Sequence, residues 1–183
     1  SELYIYKNFL LKRGMKKLYP KRIINSCYFD TQNLKMFHES EEGVLPRKKI
    51  RFRWYGNQLT CNKEIKISSI EGRYKVIDPQ KSISINSLKF HSFFEKDYGM
   101  LTPQLIVSYK REYFLYEKLR ITFDSDIEYE NIKTITKLKF RDPEFVVEVK
   151  TDESTSEDYI YKFINIQTSR FSKYCRGIYL IDK

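Results

Sequence analysis

Residues 2–13 carry apolar side chains at helical spacing, with Leu3, Tyr6 and Leu10 on one side beside Phe9, and Gly14 is placed to end the helix. Beyond Pro20 the period shortens to two. Runs rich in β-branched and aromatic residues follow at 22–28, 48–55, 59–67, 73–76, 105–116, 119–126, 133–139, 145–150 and 177–181. About nine strands in one chain imply a barrel or a sandwich, and the connectors are mostly too short for the crossover helices of a parallel sheet. Two further helices are predicted, over 87–98 ending at Gly99 and over 157–166, while 151–156 reads as a polar turn. There is no internal repeat, low-complexity tract or interdomain linker.

Several strands depart from the usual half-buried pattern by repeating charge at i, i+2, which in extended chain is one face. Arg51 and Arg53 do so, as do Glu64 and Lys66, Asp124 and Asp126 with Arg120 on the same side, and Glu148 and Lys150. The alternate positions are apolar: Ile50, Phe52 and Trp54; Ile65 and Ile67; Ile121 and Phe123; Val147 and Val149. A solvated sheet face would explain one such strand, since surface charge pairs often only neutralise each other. Repetition along the chain is better explained by a closed barrel with a polar interior. Its lumen would hold Arg51, Arg53, Lys66, Arg111, Arg120 and Lys150 facing Glu64, Asp124, Asp126 and Glu148.

Composition narrows the chemistry. The chain has 183 residues and a net charge of +10, and its 41% hydrophobic and 16% aromatic content supports one folded domain rather than disorder. Its apolar runs, such as 105–107 and 178–181, fall far short of the roughly 20 residues of a membrane-crossing helix. The opening residues do not read as a secretory signal. Cys27, Cys61 and Cys175 are odd in number and widely spaced, which disfavours disulfides and a zinc site and points to a reducing, cytoplasmic setting. His38 and His91 lie in no catalytic motif, and no glycine loop for nucleotide phosphates is present. Trp54 and Cys175 read as core residues and His38 as part of a helix end or turn.

A positive lumen suits a phosphate chain, because guanidinium groups bind phosphoryl oxygens in pairs and lysine acts as a point charge. Carboxylates among these cations then imply Mg²⁺ or Mn²⁺ between them and the phosphates. A single-stranded nucleic-acid module is the reading of another class, but aromatics that alternate with charge inside strands fit a core better than a stacking surface. The basic run of Lys12, Arg13, Lys16, Lys17, Lys21 and Arg22 reads as a solvated face that could guide a phosphate chain or rest on anionic lipid.

The segments SCYFDTQNL (26–34), RKKIRFRWYG (47–56), EIKI (64–67), VSYKREYF (107–114), RITFDSDI (120–127), VVEVK (146–150) and RFSKYCRGI (170–178) resemble the VTC domain. This is the polyphosphate polymerase domain of the vacuolar transporter chaperone family, and the likeness is to its bacterial branch, over about Leu18 to Ile181. The resemblance implies the triphosphate tunnel (CYTH-like) fold: α+β, mainly β, a closed antiparallel tunnel barrel of about eight strands with a few helices outside. One such domain would span 1–183. Arg51, Arg53, Lys66, Arg111, Arg120, Lys150, Ser172 and Lys173 would then bind substrate phosphates. Arg51, Arg53, Lys66, Arg120 and Glu148 would carry catalysis. Glu148 would coordinate Mn²⁺ or Mg²⁺, with Glu64, Asp124 and Asp126 as further metal candidates.

The implied activity is phosphoryl transfer from ATP or another triphosphate to inorganic polyphosphate. Hydrolysis of triphosphate or short polyphosphate is the near alternative, and non-catalytic binding of polyphosphate or nucleic acid the distant one. A separately encoded membrane-protein partner at the cytoplasmic face is implied; nucleic acid is not expected as a partner, and oligomeric state is left open. The family's first tunnel strand, an ExKY-like run, has no counterpart ahead of the first helix, so the barrel is expected to be one strand short. The family's SPX sensor and membrane domain have no counterpart either, so phosphate sensing and translocation are not carried over.

Overall fold

A computed structural model describes residues 2–132 and 138–181. Helix α1 (Glu2–Lys12) is followed by β1 (Lys16–Asp30), α2 (Lys35–Glu42), β2 (Arg47–Tyr55), β3 (Thr60–Ser69) and β4 (Gly72–Ser84). A 3₁₀ turn at Ile85–Phe90 leads to β5 (Phe93–Glu95), β6 (Gly99–Tyr116), β7 (Leu119–Asn131), β8 (Lys139–Arg141) and β9 (Val146–Lys150). Helices α3 (Glu157–Phe163) and α4 (Lys173–Ile181) complete the chain. The strands run in the order β4-β3-β2-β1-β6-β7-β8, with β5 added to β6 and β9 to β7, and every pairing is antiparallel. Among the described residues no ladder joins β4 to β8 or β9. The mainly-β, antiparallel α+β architecture therefore holds, but the sheet is not the hydrogen-bond-closed barrel that was expected.

Three apolar clusters follow from strand alternation. On the outer face of β1, β2 and β3, Cys27, Phe29, Ile50, Phe52, Trp54 and Cys61 pack with Met36 of α2 and Leu88 of the 3₁₀ turn. On the outer face of β6, β7 and β9, Phe114, Phe123, Val147 and Val149 are covered by Leu10 of α1 and by Tyr159, Ile160 and Phe163 of α3. The third cluster lies on the inner face, where Ile24, Tyr28, Leu105, Val107, Tyr109, Ile127 and Tyr129 meet Tyr174, Cys175 and Ile178 of α4. Helix α4 thus covers part of the inner face and leaves the rest to polar residues.

Four elements differ from the sequence reading. Strand β1 starts at Lys16, ahead of Pro20. Its first half pairs only with β6, and a register shift between Tyr19 and Arg22 accommodates the missing proline N–H. The predicted helix over 87–98 is instead the 3₁₀ turn and β5, where Phe93 and Glu95 alternate with exposed Phe94 before a turn at Gly99 (φ 80°). The predicted strand over 177–181 is helix α4: Tyr174, Cys175, Gly177 and Ile178 are buried at helical spacing. Helix α2 occupies a stretch expected to hold only a helix end or turn. It is held by buried Asp30, whose carboxylate accepts from the N–H groups of Met36 and Phe37, both at 2.9 Å, and from the Tyr174 hydroxyl at 2.6 Å. Most of the strand predicted over 133–139 lies outside the described residues.

Gly177 lets α4 approach the sheet. A Cβ there would lie 2.6 Å from Tyr129 Cδ1 and 2.7 Å from Leu105 Cδ1. Only hydrogen fits.

Candidate functional site

Register places the charged positions on the inner face beside α4. Tyr28 of β1 stands opposite Arg51 of β2, which stands opposite Glu64 of β3; Ser26, Arg53 and Asn62 form the next row, and Lys49 stands opposite Lys66. On the other side Arg111 of β6 pairs with Asp124 of β7, Thr122 with Glu148 of β9, and Arg120 with Lys150. The two sides meet. At the start of α4, Ser172 accepts from Lys49 of β2 and Lys173 reaches Asp124 of β7, so the sheet curls around this end of the helix.

Within this face Arg51 donates through Nε and Nη2 to Glu64 Oε2 at 2.9 and 2.7 Å, and through Nη1 to the Tyr28 hydroxyl at 3.1 Å. Arg53 is buried, donates to Ser26 Oγ at 3.1 Å and Tyr109 Oη at 3.3 Å, and lies 3.6 Å from Glu64. Arg111 grips Asp124 with two hydrogen bonds of 2.6 and 2.7 Å and reaches Glu148 at 3.2 Å. Lys173, at the start of α4, reaches Asp124 at 2.7 Å, its ammonium 4.8 Å from the centre of the Tyr109 ring. These contacts set the protonation states. Burial pushes the Asp124 and Glu64 carboxyls up, but Arg111 with Lys173, and Arg51 with Arg53, outweigh it and hold both below the usual carboxylate range. Burial likewise raises the Tyr28 phenol, and Arg51, Arg53 and Lys173 bring it below its ordinary value. Tyr109 is pushed up to about 12 by burial.

Most of the predicted site residues do converge: Arg51, Arg53, Lys66, Arg111, Ser172 and Lys173 share the inner face with Glu64, Asp124 and Glu148. Lys66, Arg120 and Lys150 lie at the solvent-exposed margin of that face, Lys150 being 3.3 Å from Glu148. Asp126 does not belong to the site. A register shift between Ser108 and Lys110 of β6, opposite the part of β7 where Asp126 has φ 51°, breaks the i, i+2 relation with Asp124. Asp126 pairs instead with Lys110 and Arg141.

The metal set read from the sequence does not assemble either. Among the described residues no three His, Cys, Asp or Glu side chains come together to hold an ion. Glu64 and Asp124 are committed to cations, their side chains 6% and 0% exposed. Glu148 is the accessible carboxylate at 38% exposure, and burial, which raises its pKa, is outweighed by Lys150 and Arg111 so that it stays ionised. Opposite it, Thr122 Oγ1 is buried without a hydrogen-bond partner. One carboxylate with a spare hydroxyl beside it fits Mg²⁺ or Mn²⁺ held mainly through substrate phosphates, and does not fit an all-protein cage.

Sequence reasoning missed Lys49. Its ammonium donates to Ser172 Oγ at 2.8 Å, lies 3.8 Å from Cys175 Sγ and has no carboxylate partner among the described residues; burial, with Arg47 and Arg170 near it, lowers its pKa. The i, i+2 rule that found Arg51 and Arg53 extends to it directly. Tyr28 and Tyr109, which carry the two arginines, had no such signal because their motif residues read equally well as core.

No curated protein matches the chain. Comparison with protein-family models matches the VTC domain over residues 1–88 and 69–181, which is a triphosphate tunnel (CYTH-like) fold domain. With an ionic inner face built as described, the chain belongs to the VTC domain family, a family linked to polyphosphate synthesis.

Proposed function

We propose that the inner face binds a phosphate chain and that the domain extends polyphosphate from a nucleoside triphosphate. The observation that carries this reading is the excess of cations over carboxylates among the described residues of this part of the face: Lys49, Arg51, Arg53, Lys66, Arg111 and Lys173 surround Glu64, Asp124 and Glu148. The family's link to polyphosphate synthesis supports the same direction.

In this reading Arg51 and Arg53 hold non-bridging oxygens of the reacting phosphates, with Tyr28, Ser26 and Tyr109 fixing their planes. Arg111 and Lys173 neutralise charge from the α4 side, while Lys66, Arg120 and Lys150 hold the chain further along. The acceptor is an anionic phosphate, so no strong base is required, and catalysis rests on alignment and charge neutralisation. Glu148 would hold Mg²⁺ or Mn²⁺ next to Thr122; when bound, the ion supplies Lewis-acid stabilisation of phosphoryl oxygens. The site would be drier and more enclosed if the β4 and β9 edges were bridged, which is the closed tunnel the family fold implies.

The test is incubation with ATP and Mn²⁺, separating polymer from orthophosphate. Long-chain polyphosphate should accumulate, and Arg51→Ala and Glu148→Gln should each lower its formation by roughly a hundredfold. Glu148→Gln should leave the melting temperature unchanged, whereas Arg51→Ala should lower it, because buried Glu64 loses the guanidinium that donates to it twice. Orthophosphate alone would assign hydrolysis, tripolyphosphate binding without product would assign a non-catalytic receptor, and absence of phosphate binding would remove the reading altogether.

A further inference from the structure

Between Glu2 and Asp30 the sequence contains no acidic residue, and Lys12, Arg13, Lys16, Lys17, Lys21 and Arg22 are all exposed. Lys7, in the same stretch, turns inward to Glu112 at 3.0 Å. The other six make no ion pair among the described residues; Arg13 lies 5.3 Å from the Phe9 ring centre and donates to the Tyr116 hydroxyl. Large apolar side chains accompany them. On α1, Tyr4, Ile5, Phe9 and Leu11 are 62%, 70%, 50% and 38% exposed, and on β1 Tyr19 and Ile23 are 54% and 48% exposed.

Helical geometry puts Tyr4, Ile5, Asn8, Phe9, Leu11 and Lys12 on the side of α1 away from buried Leu10, so apolar surface and charge share one face. That face continues onto α3 through a shallow groove of about 410 Å³ lined by Phe9, Arg13, Tyr161 and Lys162. Glu157 and Asp158 lie at the start of α3, which centres the positive surface on α1 and β1. Arg22 and Tyr19 stand opposite Arg111 and Tyr113 and turn to the inner-face side; the other five cations, with the exposed side chains of α1, form a second feature beside that site.

We propose that α1 and the first half of β1 dock the domain onto an anionic membrane surface. A phosphate chain or nucleic acid would use the cations and leave Ile5, Phe9 and Leu11 in water. A layer of anionic headgroups uses both, taking the ammonium and guanidinium groups at the phosphate level and the apolar side chains just beneath. The contact is peripheral, since no helix among the described residues is long and apolar enough to cross a membrane.

Sedimentation with vesicles tests this. The protein should pellet with phosphatidylcholine vesicles containing about one-third phosphatidylserine and not with phosphatidylcholine alone. Binding should fall severalfold as salt rises from about 0.1 M to about 0.5 M. The pairs Lys16→Glu with Lys17→Glu, and Ile5→Ser with Phe9→Ser, should each lower the bound fraction by about tenfold, with circular dichroism and tripolyphosphate affinity unchanged. Failure of the unaltered protein to pellet with anionic vesicles overturns the proposal, as does equal pelleting with both kinds. Undiminished binding by the Ile5→Ser, Phe9→Ser protein would make the surface a polyanion track instead. A dimer in light scattering that the same pair abolishes would assign it to a second copy of the chain.

Discussion

Lys49 of β2 donates to Ser172 Oγ at 2.8 Å, tying the strand that carries Arg51 and Arg53 to the residue just ahead of α4. Its neighbour Lys48 points the other way and is neutralised by both Glu95 and Asp97. The contrast separates a structural cation from one left without a carboxylate among the described residues. A charge kept in a partly buried place without a counter-ion lowers stability and favours an incoming anion. Lys49→Met should therefore weaken tripolyphosphate binding by about tenfold, the size of one charge-assisted contact, while leaving thermal stability equal or higher. Calorimetric titration and a melting curve on one preparation check both signs, and lost stability with unchanged affinity would make Lys49 structural.

Asp124 acts as the counter-ion that holds two cations. It is fully buried, doubly bonded to Arg111 and 2.7 Å from Lys173. Asp124→Asn would leave Lys173 without its ion-pair partner and Arg111 with Glu148 alone, and breaking a buried pair of this kind costs about 3–5 kcal/mol. Urea unfolding measures the loss. A direct metal ligand would predict a different result, with a small stability change and a large shift in Mn²⁺ dependence.

The ionic inner face is legible in the sequence where strands run regularly. Arg51, Arg53, Glu64, Lys66 and Glu148 follow the two-residue period, and their cross-strand partners match it. Asp126 escapes that reading because a bulge is invisible to the period: one irregular residue at φ 51° reverses which face follows. Helix α4 resembles a strand because Gly177–Ile178–Tyr179–Leu180–Ile181 has strong strand composition, while its buried set is completed only by Tyr174 and Cys175 just upstream. The close approach at Gly177 and the curl that brings Lys49 of β2 and Asp124 of β7 to the two residues at the start of α4 arise from packing between distant segments, which no local pattern encodes.

Gly177 gives the position of α4 a direct handle. With Tyr129 and Leu105 carbons at 2.6 and 2.7 Å from the point an added methyl would occupy, Gly177→Ala must push the helix or those side chains aside. Overpacking of this size costs about 1–3 kcal/mol. Because Ser172 and Lys173 lie at the N-terminal end of the same helix, phosphate affinity should fall together with stability. Unchanged affinity in a destabilised Gly177→Ala protein would detach α4 from the binding face.

The pH response separates the two kinds of charge on this face. Asp124 and Glu64 have depressed folded pKa values, set by Arg111 with Lys173 and by Arg51 with Arg53 against burial. Their stabilisation is complete above the ordinary carboxyl values of 3.8 and 4.5 and is lost as pH falls below them through the folded values. Lys49 and Lys66 are depressed by burial from 10.5, so the unfolded chain binds their protons more tightly. Between the folded value and 10.5, rising pH therefore adds to stability while it removes the ammonium charge that would bind phosphate. On the alkaline side these two groups contribute rising stability and falling tripolyphosphate affinity; on the acid side Asp124 and Glu64 contribute falling stability. Urea midpoints and binding titrations across pH, compared between the unaltered protein and Lys49→Met, test this: the variant should lose part of the alkaline fall in affinity and keep the acid fall in stability.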